Sequence, residues 1–444
     1  MALIDHEALR RVLEEADPTP LTGTVTRATG LVVEATLPHV PVGTACEIRT
    51  ESGQVVTAEV VGFSKGVARL MPLGEIQGIG EGCDVVPRAA GDRIPVGDGL
   101  LGRVVDAALR PVDGGPQPLL RARGSLHAMP PPALTRRRVS EPLTLGIRSI
   151  DACLTVGEGQ RMAVMAGPGV GKSVLLGMLA RSASADVVVV GLIGERGREV
   201  REFIERDLGA GLARSVVIVA TSDESPLKRL RAAMAATAAA EHFRGQGRRV
   251  LLLMDSLSRV AQAQREIGLA AGEPPTTKGY PPSAFALLPR LVERAGNDAG
   301  PGSITAFYTV LAEGDDTTGD PIADAARATL DGHLVLSRRI AESGQYPAVD
   351  VLASISRVMN DIVPEAHREL ARQAREVLSA YREAADLIEV GAYAAGSNPR
   401  VDRAIRCLEP LRAFLRQEPG ERSPLGETLG RLAQLLSTPE KPHA

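Results

Sequence analysis

Six apolar runs between Gln160 and Ser337 constrain the fold of this 444-residue chain more than any other feature. Each run is rich in Val, Leu, Ile and Ala along its whole length, as expected of strands buried on both faces of a parallel sheet. Helix-like stretches separate the runs, and in one of them, residues 222–247, Ser222 or Asp223 is a candidate N-cap. The pattern predicts an α/β fold with a mostly parallel sheet covered by helices. The runs are QRMAVMAG, DVVVVGLIG, SVVIVATS, RRVLLLMD, SITAFYTVL and GHLVLS.

Different patterns flank this region. Residues 21–90 contain five short apolar runs separated by Gly and Pro, which is typical of a small β-barrel. Residues 1–20 precede them, and within that segment 3–16 is a candidate amphipathic helix. Beyond Pro364 the strand pattern ends, and helix-like stretches follow. We therefore expect a barrel before the α/β core and a helical domain after it.

The composition excludes several classes of protein. A net charge of −3 provides no strong field to attract nucleic acid or an anionic membrane. No apolar run is long enough to cross a bilayer, and the N-terminal stretch MALIDHEALRRVLEEAD lacks the apolar segment of a signal peptide. The four cysteines are scattered without a CxxC pair, which argues against a metal knuckle or a disulfide scaffold. We expect a cytoplasmic protein with reduced thiols.

The stretch AVMAGPGVGKSVLLGML, residues 163–179, has the pattern of a phosphate-binding loop between a strand and a helix. Its glycines allow a tight turn whose N–H groups point at phosphate oxygens, and the following helix directs its positive dipole end to the same anion. Lys172 would neutralise the β- and γ-phosphates, and Ser173 would ligate Mg²⁺. Ala166 replaces the usual first glycine, which is tolerable if that residue has an ordinary φ. The predicted nucleotide-binding residues here are Gly167, Pro168, Gly169, Val170, Gly171, Lys172, Ser173 and Val174.

Two further strand-like runs end in residues that a nucleoside-triphosphate site requires. Glu195 and Arg196 follow DVVVVGLIG, where a carboxylate can hold an attacking water and an arginine can meet the γ-phosphate. Asp255 ends RRVLLLMD and is a candidate Walker B carboxylate, accepting a hydrogen bond from Ser173 or from Mg²⁺-bound water. Ligands of open parallel sheets bind beyond the carboxyl ends of the strands, so these residues should converge with the loop.

The segment LLLMDSLSRVAQAQREIGLAAGEPPTTKGYPPSAFALLPRLVERAG resembles the signature of the type III secretion ATPases, which drive protein export in flagella and injectisomes. Further matches are LIGERGREVREFIE, YTVLAEGDDTTGDPIADAARATLDGHLVLSRR and QYPAVDVLASISRVM. This family is similar to the catalytic subunit of the rotary ATP synthase. The resemblance covers essentially the whole chain and implies a barrel at 21–90, a RecA-like ATPase domain at 91–358 and a helical domain at 359–444. Pro168 stands where the family more often has Ser, and it removes one N–H from the loop.

The resemblance also implies roles for individual residues. Glu195 matches the carboxylate that activates water, and Arg196 matches a γ-phosphate ligand. Tyr346 in QYPAVD matches an aromatic residue that packs on adenine. Arg357 in SISRVM matches an arginine finger that reaches the nucleotide of the neighbouring subunit. The implied metal ligands of Mg²⁺ are Ser173 and Asp255.

The partners implied by the family are a ring of six identical subunits and a coiled-coil stalk protein in its pore. A stator-like regulator would hold the N-terminal region, and the ring would assemble at the membrane-embedded export gate, with chaperones and secreted proteins. Membrane attachment would occur only through these partners, at the inner face of the cytoplasmic membrane. The sequence leaves flagellar and injectisome use both open.

Three other functions compete with this one. Non-catalytic subunits of rotary ATPases lack a carboxylate at the position of Glu195. An RNA translocase of the transcription-terminator type stacks bases on aromatics of its N-terminal domain, but residues 1–100 hold only Phe63. Residues 22–88 also carry five Lys or Arg against seven Asp or Glu, a poor match to phosphate. A catalytic subunit of the ATP synthase is the third alternative, and the segment REIGLAAGEPPTT counts against it.

Overall fold

The computed structural model describes residues 22–88, 92–311 and 319–437. The leading segment 1–20, with its predicted helix at 3–16, therefore lies outside the described residues. The chain divides into two compact units, one containing the N-terminal barrel and the other containing the main sheet and the C-terminal helices.

The first unit contains a closed barrel of six strands in the order β1-β2-β5-β4-β3-β6. Its interior is filled by aliphatic side chains such as Val33, Ile48, Val60 and Leu70. The predicted barrel is confirmed, but its last strand, DVVPR, was not recognised among the five runs. The strands are β1 Gly23–Thr29, β2 Val32–Thr36, β3 Ala45–Arg49, β4 Val55–Ser64, β5 Val67–Pro72 and β6 Asp84–Arg88.

The second unit contains a sheet whose path is β17-β16-β10-β15-β13-β11-β12-β8, with β14 paired to β15. Its pairings are parallel from β16 to β8, whereas β14 and β17 pair antiparallel. The strands are β8 Arg103–Val105, β10 Arg161–Ala166, β11 Val187–Glu195, β12 Ser215–Thr221, β13 Arg249–Asp255, β14 Gly296–Asn297, β15 Ser303–Leu311, β16 Gly332–Leu336 and β17 Ile355–Ser356; β7 Arg93–Val96 and β9 Ala122–Ser125 pair separately.

Alternate residues of the central strands lie in different hydrophobic clusters. Val188 and Val190 of β11 belong to one cluster, whereas Val187 and Val189 belong to another. Because side chains alternate along a strand, both faces of the sheet are buried. The six apolar runs therefore all form strands of this sheet, as predicted.

Helices cover this sheet and continue beyond it. The helix predicted over 222–247 begins at Pro226, about one turn after the suggested caps Ser222 and Asp223. Proline is favoured at the first position of a helix, where an N–H would have no partner within the helix. The helices are α1 Arg148–Cys153, α2 Lys172–Ser182, α3 Gly197–Glu202, α4 Pro226–Gly245, α5 Leu257–Ala271, α6 Pro282–Val292, α7 Pro321–Thr329, α8 Arg338–Glu342, α9 Met359–Ile362, α10 Glu365–Glu389, α11 Pro399–Leu415 and α12 Leu425–Leu436. No helix among residues 22–88, 92–311 and 319–437 is long and apolar enough to cross a membrane.

Candidate nucleotide site

The loop between β10 and α2 has the geometry of a phosphate cradle. Gly169 and Gly171 have φ values of 78° and 87°, a region that residues with a Cβ rarely adopt. Gly171 is also the N-cap of α2, an eleven-residue helix that starts at Lys172. The free N–H groups at this end and the helix dipole favour an anion. Both features match the sequence-based prediction for this loop.

The substitution of Ala for the first glycine is explained by the position of Ala166. This residue is the last of β10, is buried, and pairs in parallel register with Leu311 and Leu336. The extended backbone of a strand accepts alanine as readily as glycine. The turn itself begins one residue later, at Gly167.

Three charged side chains from different elements meet beside this loop. The Nζ of Lys172 lies 2.6 Å from Oδ1 of Asp255 and 3.2 Å from Oε1 of Glu195. Glu195 ends β11 and Asp255 ends β13, so the carboxyl ends of parallel strands deliver both carboxylates. The side chains of the three residues are at most 14% exposed. The sequence predicted this convergence, although Asp255 bonds Lys172 rather than Ser173.

Burial and mutual charge shift the proton affinities of this cluster. Burial, together with the negative charge of Asp255, raises the pKa of Glu195 to about 7, although Lys172 opposes the shift. Burial disfavours the ammonium form of Lys172, but the carboxylates of Asp255 and Glu195 raise its pKa overall. Lys172 therefore remains charged near neutral pH. Glu195 is poised to exchange a proton there, as a general base requires.

The cluster includes residues that sequence reasoning missed. Thr309 of β15 donates its hydroxyl hydrogen to Oδ1 of Asp255 at 2.6 Å and is fully buried. Arg259 of α5 packs against Gly194, next to Glu195, and its buried Nε has no hydrogen-bond partner among the described residues. The signal for Thr309 was a polar residue inside an apolar run, but a β-branched residue is also an ordinary strand former.

Tyr346 lines a cavity of about 320 Å³ beside the phosphate loop. Two of its ring carbons lie 3.4 Å from the point where Gly171 would carry a Cβ, and the residue is 43% exposed. An exposed aromatic ring at a cavity wall can stack on a base, as predicted from the resemblance. The other lining residues come from α2 (Val174, Leu175 and Met178), from residues 344 and 347, and from 416–419 of the C-terminal region. Sequence reasoning had not assigned the 416–419 segment to the site.

Two predicted site residues lie apart from this cluster. The side chain of Arg196 is 76% exposed and lies 3.9 Å from Glu199. Arg357 follows β17, is exposed, and donates from Nη2 to the carbonyl of Arg327 at 3.0 Å. Neither arrangement tests the γ-phosphate or finger roles, which remain predictions.

The oxygen donors at the loop suit Mg²⁺. Mg²⁺ keeps several waters and takes one or two protein oxygens together with phosphate oxygens. The Ser173 hydroxyl and the Asp255 carboxylate are donors of this kind. No cluster of three or more His, Cys, Asp or Glu side chains suited to a metal occurs in the described parts of the chain, and a nucleotide-borne Mg²⁺ does not need one. The residues present therefore fit the ion.

Family models match the chain in three consecutive regions. Residues 25–88 match the β-barrel domain of the ATP synthase alpha/beta family, and residues 146–356 match its nucleotide-binding domain. Residues 363–434 match the C-terminal domain of the type III secretion ATPase EscN.

Curated relatives include members of both export systems. The chain is 55% identical over 428 residues to the flagellum-specific ATP synthase of Pseudomonas aeruginosa, covering 94% of this chain and 93% of that one. It is 49% identical over 417 residues to the type 3 secretion system ATPase of Sinorhizobium fredii, covering 94% and 92%.

Among solved structures, the assembled ATPase EscN of enteropathogenic E. coli matches with a TM-score of 0.88 and 41% identity. The match covers 94% of this chain and all of the solved EscN chain. EscN bound to its central stalk EscO matches with a TM-score of 0.86 and 40% identity over the same shares. These relatives match nearly the whole chain, and the loop between β10 and α2 with its neighbouring carboxylates agrees with them. The chain therefore belongs to the type III secretion ATPases of the ATP synthase alpha/beta family and is an ATPase of a protein-export system.

Proposed function

We propose that this chain hydrolyses Mg-ATP at the loop between β10 and α2 and that hydrolysis energises type III protein export. The observation that carries the proposal is the position of Lys172, held between the carboxylates of Glu195 and Asp255 at the N-terminus of α2. A cation, two carboxylates and a helix N-terminus at one point suit a triphosphate and the ion that accompanies it.

Each residue has a distinct task in this proposal. Lys172 would exchange its carboxylate partners for β- and γ-phosphate oxygens, while Ser173 and Asp255 would hold Mg²⁺, which would neutralise charge on the phosphates. Glu195 is then released to orient and deprotonate the attacking water. Arg196, which is exposed at the start of α3, turns toward the γ-phosphate.

The hydroxyl of Thr309 fixes the Asp255 carboxylate in this arrangement. It bonds the same oxygen, Oδ1, that Lys172 contacts. We propose that this bond keeps Asp255 oriented when Lys172 moves to the phosphates, so that the metal ligand stays in place through the cycle.

The assembly that we propose is a ring of six copies. EscN, which is similar over its whole length, has been solved assembled and with its central stalk EscO. By analogy, a coiled-coil stalk protein would occupy the pore of this ring, and Arg357 would complete the site of the neighbouring copy. A stator-like regulator would bind residues 1–20, and the ring would act with chaperones and secreted proteins at the export gate, at the inner face of the cytoplasmic membrane.

The competing functions are less consistent with the residues present. A non-catalytic subunit has no need of the buried Glu195 beside Lys172. An RNA translocase needs stacking aromatic residues in its barrel, and the described barrel strands contain one aromatic residue, Phe63. The C-terminal model is the one named for EscN, which disfavours an ATP-synthase subunit.

Lys172→Ala tests the proposed site. We expect steady-state hydrolysis of saturating Mg-ATP to fall below about a tenth of the wild-type rate, because the β- and γ-phosphates lose their lysine cation. Lys65→Ala, at an exposed turn of the barrel, is the matched control and should keep the wild-type rate. Wild-type protein, but not Lys172→Ala, should restore secretion in a host that lacks its own export ATPase. Normal hydrolysis by Lys172→Ala would reject the assigned site.

A further inference from the structure

Arg148 is buried near the cavity that Tyr346 lines, and no step of the proposed hydrolysis uses Arg148. Its side chain is 3% exposed. Its Nε donates to the carbonyl of Phe414 at 2.6 Å, and its Nη2 donates to the carbonyl of Arg416. Both Nη atoms also bond the carboxylate of Glu421, and these bonds lower the pKa of Glu421. One planar guanidinium thus joins three points of the segment 414–421.

Gln417 belongs to this segment, and its hydrogen bonds tie the segment to other parts of the chain. Its Oε1 accepts the backbone N–H of Arg148 at 2.9 Å, and its Nε2 donates to the carbonyls of Gly146 at 2.7 Å and Glu421 at 2.8 Å. Its own backbone N–H donates to the carbonyl of Tyr346 at 2.8 Å. The side chain therefore fixes the segment to the start of α1, and the backbone fixes it to the predicted stacking residue.

Most of this segment depends on such contacts, because from residue 416 onward it is irregular chain between α11 and α12. Residues 416–419 form a wall of the cavity, together with side chains of α2 and with Tyr346. Beyond Arg416, the C-cap of α11, no strand ladder or helix holds the wall. Its position is set by the bonds from Arg148 and Gln417 and by Nη2 of Arg181, which donates to the carbonyl of Pro419 at 2.6 Å. The width of the cavity then depends on a residue more than 260 positions earlier in the chain.

We propose that Arg148 is a positioning residue for nucleotide binding: with Gln417, it holds residues 416–419 as the wall of the cavity that receives the purine base next to Tyr346. The inference rests on the proposed ATP site. The side chain of Arg148 donates its hydrogen bonds to segment 414–421. Substitution of Arg148 should therefore weaken binding of the base and leave the phosphate chemistry at Lys172 intact.

Arg148→Lys tests this role because it keeps the charge but loses the planar fork. We expect the Kd and KM for ATP to rise roughly tenfold, the scale of losing one stacking contact. The value of kcat at saturating ATP should stay within about twofold. Inhibition by Mg-tripolyphosphate, which has no base, should be unchanged. A general loss of structure would instead weaken the binding of both ATP and Mg-tripolyphosphate.

Arg375→Lys is the matched control. Arg375 of α10 also donates to main-chain carbonyls, those of Val351 and Ser354, but these residues do not belong to the 416–419 wall of the base cavity. Its substitution should leave the affinity for ATP unchanged. If Arg148→Lys does not fold, as judged by thermal unfolding, Glu421→Ala replaces it, because the side chain of Glu421 is 39% exposed and tolerates truncation. It should weaken ATP binding in the same selective way.

The possible outcomes separate the inference from the proposed function. Unchanged ATP affinity in Arg148→Lys, or in Glu421→Ala where it replaces the first variant, overturns the positioning role. An equal loss for ATP and tripolyphosphate overturns it as well. Wild-type protein that binds neither ligand would instead reject the ATP site itself.

Discussion

At the scale of single residues, Glu195 stands out because it is the carboxylate whose pKa is raised within the phosphate-loop cluster. It is largely buried beside Asp255, which raises the pKa of Glu195, and its hydrogen bond from Lys172 keeps it at the phosphate loop. Burial of a carboxylate costs free energy, and titratable groups with shifted pKa values cluster at functional sites. In the proposed mechanism the task of Glu195 is proton abstraction from water.

Glu195→Gln should separate binding from chemistry. The amide keeps the size of the side chain and can still accept a hydrogen bond from Lys172, but it cannot act as a base. We expect ATP affinity near the wild-type value and a kcat lower by roughly 10²–10⁴, the usual cost of a lost general base. Glu202→Gln of α3, whose carboxylate pairs with Arg206, should hydrolyse normally. Normal turnover in Glu195→Gln would show that another group activates the attacking water.

Tyr346→Ala should weaken nucleotide binding by about 1–2 kcal/mol, the scale of one aromatic stacking contact. Tyr346→Phe should bind as the wild type does, because the ring rather than the hydroxyl faces the base. Fluorescent-nucleotide titration measures both variants. Equal losses in the two would show that the hydroxyl carries the interaction, and Tyr393→Ala, in the loop between α10 and α11, should change nothing.

At the scale of elements, the sequence predicts best where one local pattern is strong. The six apolar runs became strands, and the helix-like stretches beyond Pro364 became α10, α11 and α12. β6 was missed because Pro87 interrupts its pattern, and β8 because it has only three residues. Local patterns carry little information about such short pieces, which form because a neighbouring strand pairs with them.

The site shows the same division. The loop, Glu195 and Asp255 follow strands, so their meeting is a consequence of parallel topology and could be predicted. The 416–419 wall could not, because it follows a helix and is irregular. Tertiary bonds of Arg148, Gln417 and Arg181 place it beside Tyr346, and single-sequence patterns do not record bonds over more than 230 residues.

The short helix α1 supports a prediction about pH. Asp151 is buried in α1, and burial raises its pKa from 3.8 to about 7, although backbone N–H groups of Leu145 and Gly146 oppose the shift. Between these values the folded state binds more protons than the unfolded state, so Asp151 makes the free energy of unfolding fall as pH rises from 3.8 to about 7. Asp151→Asn should remove this decline, as measured by urea unfolding at several pH values.

Asp186 provides a control of opposite sign for this measurement. Although burial opposes the shift, hydrogen bonds from Arg249 lower the pKa of Asp186. Its contribution to stability is therefore present above the unfolded pKa and is lost as pH falls through the lower folded pKa. Asp186→Asn should reduce stability at neutral pH and converge with the wild type in acid. The same trend in both variants would contradict the assignment for Asp151.

At the scale of the whole molecule, the position of Arg357 bears on how a catalytic site is completed. Lys172, Glu195 and Asp255 already meet within one chain. Arg357 is exposed after β17 and bonds the carbonyl of Arg327, so its guanidinium is available at the surface. If it acts on a neighbouring copy, one chain alone lacks the group that stabilises charge on the transferred phosphoryl.

Specific activity should therefore rise with protein concentration as copies assemble. Arginine fingers typically contribute about 10³–10⁵ in rate, so Arg357→Ala should be nearly inactive at every concentration. Arg357→Lys should not rescue it, because a point charge does not replace a planar fork. Arg368→Ala should behave as the wild type does, because Arg368 is a half-buried arginine of α10 that pairs with Glu365. Wild-type specific activity that stays flat over the assembly range would contradict the shared site.

Mixing Arg357→Ala with Lys172→Ala tests the shared site directly. Each variant is inactive alone for a different reason: one lacks the finger that it would offer to a neighbour, and the other lacks its own phosphate cation. In a mixed ring, some interfaces place an intact phosphate loop beside an intact finger, so part of the activity should return on assembly. The measurement is ATP turnover against mixing ratio, with mixed rings verified by differently tagged copies. If verified mixed rings remain inactive, either Arg357 acts within its own chain or all sites of the ring must be intact together.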